Sequence, residues 1–533
     1  MEVQLVEEQL RCSDGVTLVA RVWKPCAPGR WPVLLMRQPY GRAIASTPTY
    51  AHPRWYASQG YAVAVQDVRG RGDSGGRFAG FAQEAADGTD TLAWVRSLPY
   101  GNGRLGLYGF SYQGFTQLVG TDSAHLPDCL APAMTGLDER LHWACSGGAH
   151  RWVLGLAWAL QLAAERCRRQ GDAAGWREIR LSLEGGDFLR DGLALLEKLD
   201  PKAMALGWFA ADPLEPQGWT VHEPPGDLLT RPLLLVGGWH DPHLEGVLDL
   251  WRRARQAGGE PLLRVGAWTH LNWASGIDRL QLAFFDRHLR DRPDPAPPAR
   301  ELLFDLRAQQ WRQRRPDQSC GGAWGLNSDG LAAIDASEGQ LQPEGTGSGE
   351  VSFVHDPWRP RPGRGGHLGL DAGPVDRSEL DQRSDGICFT SEPLLEPLEL
   401  LGRPVVMVEV EADQPGFDLC GALSVLREGP SPVEQLSTGV ARFLGPECRQ
   451  LRMRRLEFQP LLASLHPGDR LRLSIAAAAW PQISVNPGTG SSSPAAPGIG
   501  HRVISLRFVL AGGRLFLEPM ASGTLAPPPT PSP

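Results

Sequence analysis

No two of the nine cysteines stand in a C-x-x-C pair, so the chain carries neither a zinc ribbon nor a dithiol redox motif. They are also odd in number and far apart, which predicts reduced, mostly buried thiols in a cytoplasm rather than a disulfide framework. The first eight residues, from Met1 to Glu8, are acidic and lack the basic-then-apolar order of a secretory signal. The longest apolar stretch, Trp152 to Ala164, is interrupted by Gln161 and too short to span a bilayer; it reads as a buried helix. Positive charge is not in excess. The net charge is −7 with lysine and arginine scattered, which excludes a nucleic-acid stripe and a basic membrane-binding face. A phosphate loop is missing too. The glycine-rich stretch from Gln66 to Gly76 has no G-K-[ST] ending and no G-x-G-x-x-G at a helix start. A tight loop held by an Asp67–Arg69 ion pair is expected instead, with the Arg71-Gly72-Asp73 triplet incidental to it.

What is present is an ordinary globular composition, 42% hydrophobic and 21% charged, spread over 533 residues, which calls for two or three domains. Residues Val3 to Val22 alternate around Ser13-Asp14-Gly15 and predict an antiparallel hairpin. Buried strands follow at Pro32–Met36, Tyr61–Val65, Leu105–Tyr108 and Cys129–Met134, with a helix at Glu84–Leu98 between them. This alternation predicts a mostly parallel sheet covered on both faces. From 139 to 225 the pattern turns helical, at Trp152–Arg168, Trp176–Leu183 and Phe188–Leu199, as expected of a cap inserted over the strand ends. The strand–helix pattern resumes at Arg231–Asp241, Glu245–Gln256, Pro261–His270 and Arg279–Arg290, then meets a proline-rich joint at Pro293–Pro298.

Past the joint, short strand-like runs separated by turns predict a β-sandwich of the jelly-roll kind: Leu302–Arg307, Val405–Val410, Leu419–Leu426, Leu451–Phe458, Arg470–Ile475 and Arg502–Val509. Glu338–Glu350 reads as a flexible loop. The expected organisation is 1–138 and 226–295 for the two parts of the α/β domain, 139–225 for the cap, 296–525 for the sandwich and 526–533 for a disordered tail.

The chemistry is expected at Gly109-Phe110-Ser111-Tyr112-Gln113-Gly114. An apolar run meets glycine, a serine between bulky residues and a second glycine, the pattern of a nucleophile elbow between strand and helix. It departs from G-x-S-x-G, because position 113 is glutamine. Acyl transfer also needs a base near neutrality and a carboxylate that orients it. An α/β-hydrolase presents these in the order serine, acid, histidine, each past the end of a strand, and Ser111, Asp241 and His270 meet that order. Asp241 could instead cap the helix near Glu245, and His270 could be a loop histidine. His52, His240, His243 and His288 read as structural. The oxyanion donors would be the Tyr112 N–H and the phenol of Tyr40, unless Tyr40 merely packs on Pro39.

Several motifs in one order resemble the cocaine esterase / X-prolyl dipeptidyl peptidase (CocE/NonD-like) family of serine hydrolases. They are Arg37-Gln38-Pro39-Tyr40, Gln66-Asp67-Val68-Arg69-Gly70-Arg71-Gly72, the elbow, Gly237-Gly238-Trp239-His240-Asp241, Trp268-Thr269-His270 and Phe284-Phe285-Asp286-Arg287-His288-Leu289. His355-Asp356-Pro357, Phe389–Leu394, Pro467–Leu473 and Asn486–Gly490 are similar to that family's C-terminal domain. The resemblance implies an α/β-hydrolase fold with a helical cap and a galactose-binding-like jelly roll. It carries the nucleophile onto Ser111, the acid onto Asp241, the base onto His270 and the oxyanion tyrosine onto Tyr40, and it implies an elbow of the form G-x-S-Y-x-G. Related α-amino acid ester hydrolases hold the substrate ammonium with acidic residues just after the catalytic aspartate. Here Pro242, His243 and Leu244 follow Asp241, and cap carboxylates such as Asp187, Asp212 or Glu215 remain as alternatives.

The expected activity is hydrolysis of a small ester, amide or short peptide through an acyl-serine, with no metal or organic cofactor, no nucleic acid and no membrane partner; a homodimer stays open. The alternatives are an X-Pro dipeptidyl aminopeptidase and, in another class, a carbohydrate- or partner-binding protein with a vestigial hydrolase domain. The complete serine, acid and histidine set speaks against the last.

Overall fold

The computed structural model describes residues 1–43, 50–120, 123–273, 276–292, 298–429, 431–492, 494 and 496–521. The tail predicted at 526–533 and most of the proline-rich joint lie outside them.

A ten-stranded sheet organises the N-terminal half. Its strands in chain order are β1 (Val3–Arg11), β2 (Thr17–Pro25), β3 (Trp31–Gln38), β4 (Ala62–Asp67), β5 (Gly101–Phe110) and β6 (Cys129–Ala133). After the cap, which contains the two-residue strands β7 (Cys145–Ser146) and β8 (Ala149–His150), come β9 (Leu234–His240), β10 (Leu262–Thr269), β11 (Glu301–Asp305) and β12 (Gln310–Gln313). The spatial order is β1-β2-β4-β3-β5-β6-β9-β10-β11-β12. β1 and β2 form the predicted hairpin, β4 through β11 run parallel, and β12 turns back antiparallel.

The central strands lie between two cores because side chains alternate along each strand. Val33, Leu35, Ala62 and Ala64 face the core shared with the helices α2 (Glu84–Ser97), α3 (Tyr112–Phe115) and α8 (Leu244–Gln256). Leu34, Met36, Val63 and Val65 face the one shared with α1 (Pro53–Ser58) and α9 (Ile277–Leu289). Both faces are therefore dry, as a parallel sheet requires.

The cap comprises a π-helical turn at Glu139–Ala144 and the helices α4 (Trp152–Gln170), α5 (Ala173–Gly185), α6 (Phe188–Leu199) and α7 (Met204–Ala210). Gly171, left-handed at φ 72°, ends α4, and the Asp172 carboxylate then caps α5 through the Gly175 N–H at 2.8 Å. The π-turn and α7 are too short to show a period, and the sequence pattern does not predict them. No described helix is long and apolar enough to cross a membrane.

The C-terminal region is an eleven-stranded β structure running from Trp324 to Glu518, dominated by long antiparallel ladders such as Leu398–Ala412 against Ile504–Glu518. Two expectations need correction here. The sequence pattern puts Leu302–Arg307 in the sandwich, whereas Glu301–Asp305 pairs in parallel with β10 and β12 pairs with it, so the first sheet draws strands from beyond the 295/296 boundary. Glu338–Glu350 is not one loop, since Gln340–Pro343 is a strand paired with Trp324–Asn327. A four-residue strand among polar residues leaves too short an alternation to read.

The two halves share a core cluster that runs from the sheet helices to the sandwich. Polar bridges cross the same seam. Arg403 pairs with Glu245 at 2.7 Å, and the Arg442 N–H donates to the Gly147 carbonyl at 2.7 Å.

Candidate active site

β5 ends in a turn that few residues can make. Ser111 has φ 59° and ψ −128°, a strained conformation for a non-glycine residue that costs on the order of 1–3 kcal/mol. Gly109 has φ 135°, and a Cβ there would stand 2.5 Å from the Gln113 Cβ. The second glycine is required at 114, where a Cβ would approach the Thr135 Cγ2 to 2.8 Å and the Ala133 carbonyl oxygen to 3.0 Å. Glutamine at 113 ties the elbow to the end of β3, because its Nε2 donates to the Gln38 Oε1 at 3.1 Å. The helix after Ser111 is only Tyr112–Phe115 and continues as turns. As the first residue of that helix, Tyr112 has an N–H with no helical acceptor before it.

Asp241 follows β9 and is fully buried; His270 follows β10 and is about a quarter exposed. The His270 Nδ1 lies 2.7 Å from the Asp241 Oδ2, and the other carboxylate oxygen accepts the His243 N–H at 2.7 Å. Asp241 thus braces the turn before α8 while its other oxygen serves His270, and His243 occupies the N-cap position. With Nδ1 bound to the carboxylate, Nε2 is the ring nitrogen left for a reaction. The His270 ring packs 5.5 Å from Phe110, the residue before Ser111, and 4.9 Å from the His243 ring. Burial holds His243 well below the usual histidine range, reinforced by His270 and Arg151, so it faces His270 as a neutral ring.

Tyr40 comes after β3, and its phenol shares a hydrogen bond with Ser111 and accepts one from the Trp158 Nε1 at 3.2 Å. Burial raises the phenol above its ordinary value, opposed by the Trp158 hydrogen bond and the Arg71 charge. Beneath the elbow, the Tyr112 hydroxyl donates to Glu84 at 2.8 Å, and Glu84 is ion-paired with Arg37 at 2.9 Å. Burial raises Glu84, with Arg37 and Tyr112 opposing.

The cap presents an aromatic wall. Trp158 stacks on Trp208 at 5.8 Å, Trp208 on Phe81 at 5.7 Å, and Phe81 on Tyr112 at 5.1 Å. Glu139 sits at its margin, accepting from the Trp208 Nε1 at 2.6 Å and meeting the His222 Nε2 at 2.7 Å. Two of the three cap carboxylates considered from sequence have partners of their own. Asp187 is exposed beside Arg190, Asp212 accepts the Leu214 N–H, and Glu215 is exposed. Glu245 is committed to Arg403.

The glycine-rich loop also corrects an expectation. Asp67 does not pair with Arg69; it binds Arg42 at 2.7 Å, while Arg69 binds Asp87 and Asp14. Gly72 lies so close to Asp67 that a Cβ would stand 2.1 Å from its Oδ2, and the loop folds around that carboxylate. Among the described residues no group of three or more His, Cys, Asp or Glu side chains could hold a metal ion.

Sequence reasoning missed Trp158, Glu84, Glu139 and Gln459. The Gln459 Nε2 donates to the Asp241 carbonyl at 2.7 Å from the C-terminal domain. No local motif marks such residues, because their partners lie far along the chain.

Comparison with known proteins identifies the family. Residues 14–272 match the family described as X-Pro dipeptidyl-peptidase (S15 family), and residues 305–505 match the X-Pro dipeptidyl-peptidase C-terminal non-catalytic domain. The chain is 27% identical to the cocaine esterase of Rhodococcus sp. (strain MB1 Bresler) over 529 residues, covering 90% of this chain and 91% of that protein. In fold it is similar to an aminopeptidase from a marine sediment Thaumarchaeota archaeon, with a TM-score of 0.72 at 19% identity, covering 97% of this chain and 96% of that one. An α-amino acid ester hydrolase superposes with a TM-score of 0.70 at 18% identity, covering 97% and 96%. A CocE/NonD family hydrolase of Staphylococcus aureus does so with a TM-score of 0.71 at 15% identity, covering 97% and 94%. The chain belongs to the cocaine esterase / X-prolyl dipeptidyl peptidase (S15) family and is a serine hydrolase.

Proposed function

We propose that this protein hydrolyses a small carboxylic ester through an acyl-Ser111 intermediate. The observation that carries the assignment is the 2.7 Å Asp241–His270 hydrogen bond standing beside a serine held at positive φ. The His270 Nε2 takes the Ser111 proton as the hydroxyl oxygen attacks the carbonyl carbon, then delivers it to the leaving alcohol. Asp241 fixes the tautomer and stabilises the imidazolium. The Tyr40 phenol and the Tyr112 N–H receive the charge that develops on the carbonyl oxygen. Water, activated by the same histidine, releases the acid.

The cap favours esters with an apolar acyl group over substrates with a free amine. Its wall is aromatic, Glu139 is already held by Trp208 and His222, and Glu245, the first acid after Asp241, is spent on Arg403. The same features weigh against the X-Pro dipeptidyl aminopeptidase reading. A cytoplasmic location is supported by seven buried thiols among nine free cysteines, and cell fractionation tests it.

Active-site labelling with a fluorophosphonate, followed by mapping of the modified peptide, tests the nucleophile. Label on Ser111 and a loss of kcat on the order of 10⁴ or more in Ser111→Ala are expected; near-wild-type turnover in that variant would sink the assignment. Aryl esters assayed beside chromogenic X-Pro amides separate the two substrate classes, and faster turnover of the amides would reverse the preference.

A further inference from the structure

The Arg71 guanidinium is nearly fully buried, and no carboxylate pairs with it among the described residues. A buried cation is costly unless its donors are satisfied. Arg71 spends two on main-chain carbonyls: Nε donates to Pro39 at 2.7 Å and Nη1 to Leu162 at 2.9 Å. Pro39 immediately precedes Tyr40. Leu162 lies one turn beyond Trp158 on α4, and Trp158 is the residue that donates to the Tyr40 hydroxyl. One side chain therefore holds both supports of that phenol, the loop that carries it and the helix that orients it.

The loop is built to deliver this side chain. Gly70 and Gly72 take positive φ, the Ser74 hydroxyl donates to the Asp67 carbonyl at 2.7 Å, and Arg169 of α4 donates to the Ser74 carbonyl at 2.8 Å. The Phe78 ring covers the guanidinium at 5.0 Å. Burial lowers Arg71 to about 10, which leaves it charged at neutral pH, beside a phenol that faces a developing oxyanion.

We propose that Arg71 is the positioning residue of the oxyanion hole, pinning the Tyr40 loop to the cap helix and adding a fixed positive charge behind the phenol. The proposal rests on the role given to Tyr40 above. It gives a function to the central arginine of the Arg69-Gly70-Arg71-Gly72-Asp73 stretch, which the phosphate-loop reading leaves unexplained.

A double-mutant cycle on a p-nitrophenyl ester tests it, with kcat expressed per fluorophosphonate-reactive site so that unfolded protein does not count. Tyr40→Phe alone should slow kcat by about 10- to 10³-fold. Arg71→Gln should slow kcat about tenfold with KM within about twofold, and Arg71→Lys, which keeps the charge but loses the two-carbonyl grip, about threefold. In the Tyr40→Phe background, Arg71→Gln should cost less than about twofold, because the group it positions is gone. An unchanged kcat in Arg71→Gln, or the same tenfold loss in both backgrounds, overturns the proposal while leaving Tyr40 in place. An unchanged kcat in Tyr40→Phe instead strikes the parent assignment, and this proposal with it. If Arg71→Gln does not fold, Arg71→Lys decides alone, and wild-type turnover there overturns the proposal.

Discussion

The side-chain amide of Gln459 donates a 2.7 Å hydrogen bond to the main-chain carbonyl of Asp241, across the seam between the C-terminal domain and the sheet. Gln459 is itself fixed: its N–H donates to Thr438, and its carbonyl accepts the Ser437 hydroxyl at 2.6 Å. The strand-end turn that presents the Asp241 carboxylate to His270 is thus held from outside its own domain.

Replacing Gln459 by leucine leaves that buried carbonyl short of a partner, a loss of about 1 kcal/mol. The expected outcome is a kcat reduced by about three- to tenfold with KM little changed, since the acid is displaced rather than the substrate pocket. Steady-state kinetics on an aryl ester measures this. A rise in KM with kcat intact would place Gln459 in substrate binding instead.

Gly109 should not tolerate a side chain. Alanine there meets both a φ of 135° and a 2.5 Å contact with the Gln113 Cβ, so the elbow must open. Gly109→Ala is expected to lose at least about tenfold in kcat, with a backbone cost on the order of 1–3 kcal/mol. Gly103→Ala is the control. Gly103 also has positive φ, 88°, but nothing within 4 Å, so it should lower the unfolding midpoint and spare turnover.

Acid should destabilise the fold through its buried histidines. Burial lowers His150 and His240 to about 4 and His367 to about 3, from an ordinary 6.5. Between those values the unfolded chain binds protons that the native state does not, so stability rises with pH. It is complete above about pH 6.5 and is lost as pH falls toward 4. Each histidine contributes a slope of at most about 1.4 kcal/mol per pH unit. Urea unfolding at pH 7.5, 6 and 5 should show the decline, and His367→Gln should make it shallower. A flat profile across that range would contradict the assignment of neutral buried rings.

What the sequence made legible was whatever is written locally. The continuous apolar run from Tyr61 to Val65 announced a buried strand, and the structure places Ala62 and Ala64 in one core and Val63 and Val65 in the other. Ser111, Asp241 and His270 were visible because each ends a strand in a fixed order, and the predicted second glycine has its reason in Thr135. Proximity in sequence favours Arg69 as the partner of Asp67, while the fold supplies Arg42 from beyond the end of β3. Gln459, Trp158 and Glu84 were silent for the same reason. Their meaning arises only when residues far apart in sequence are packed together, and nothing in their own neighbourhoods marks them.

The last two strands of the N-terminal sheet, Glu301–Asp305 and Gln310–Gln313, lie beyond the proline-rich stretch. During synthesis, therefore, a nascent chain that has completed α9 still exposes the edge of β10, with its unpaired main-chain groups open to other chains. The hydrolase half is finished only when the ribosome has delivered the start of the next domain. Cutting the polypeptide at the apparent linker would release an aggregation-prone torso rather than a minimal enzyme.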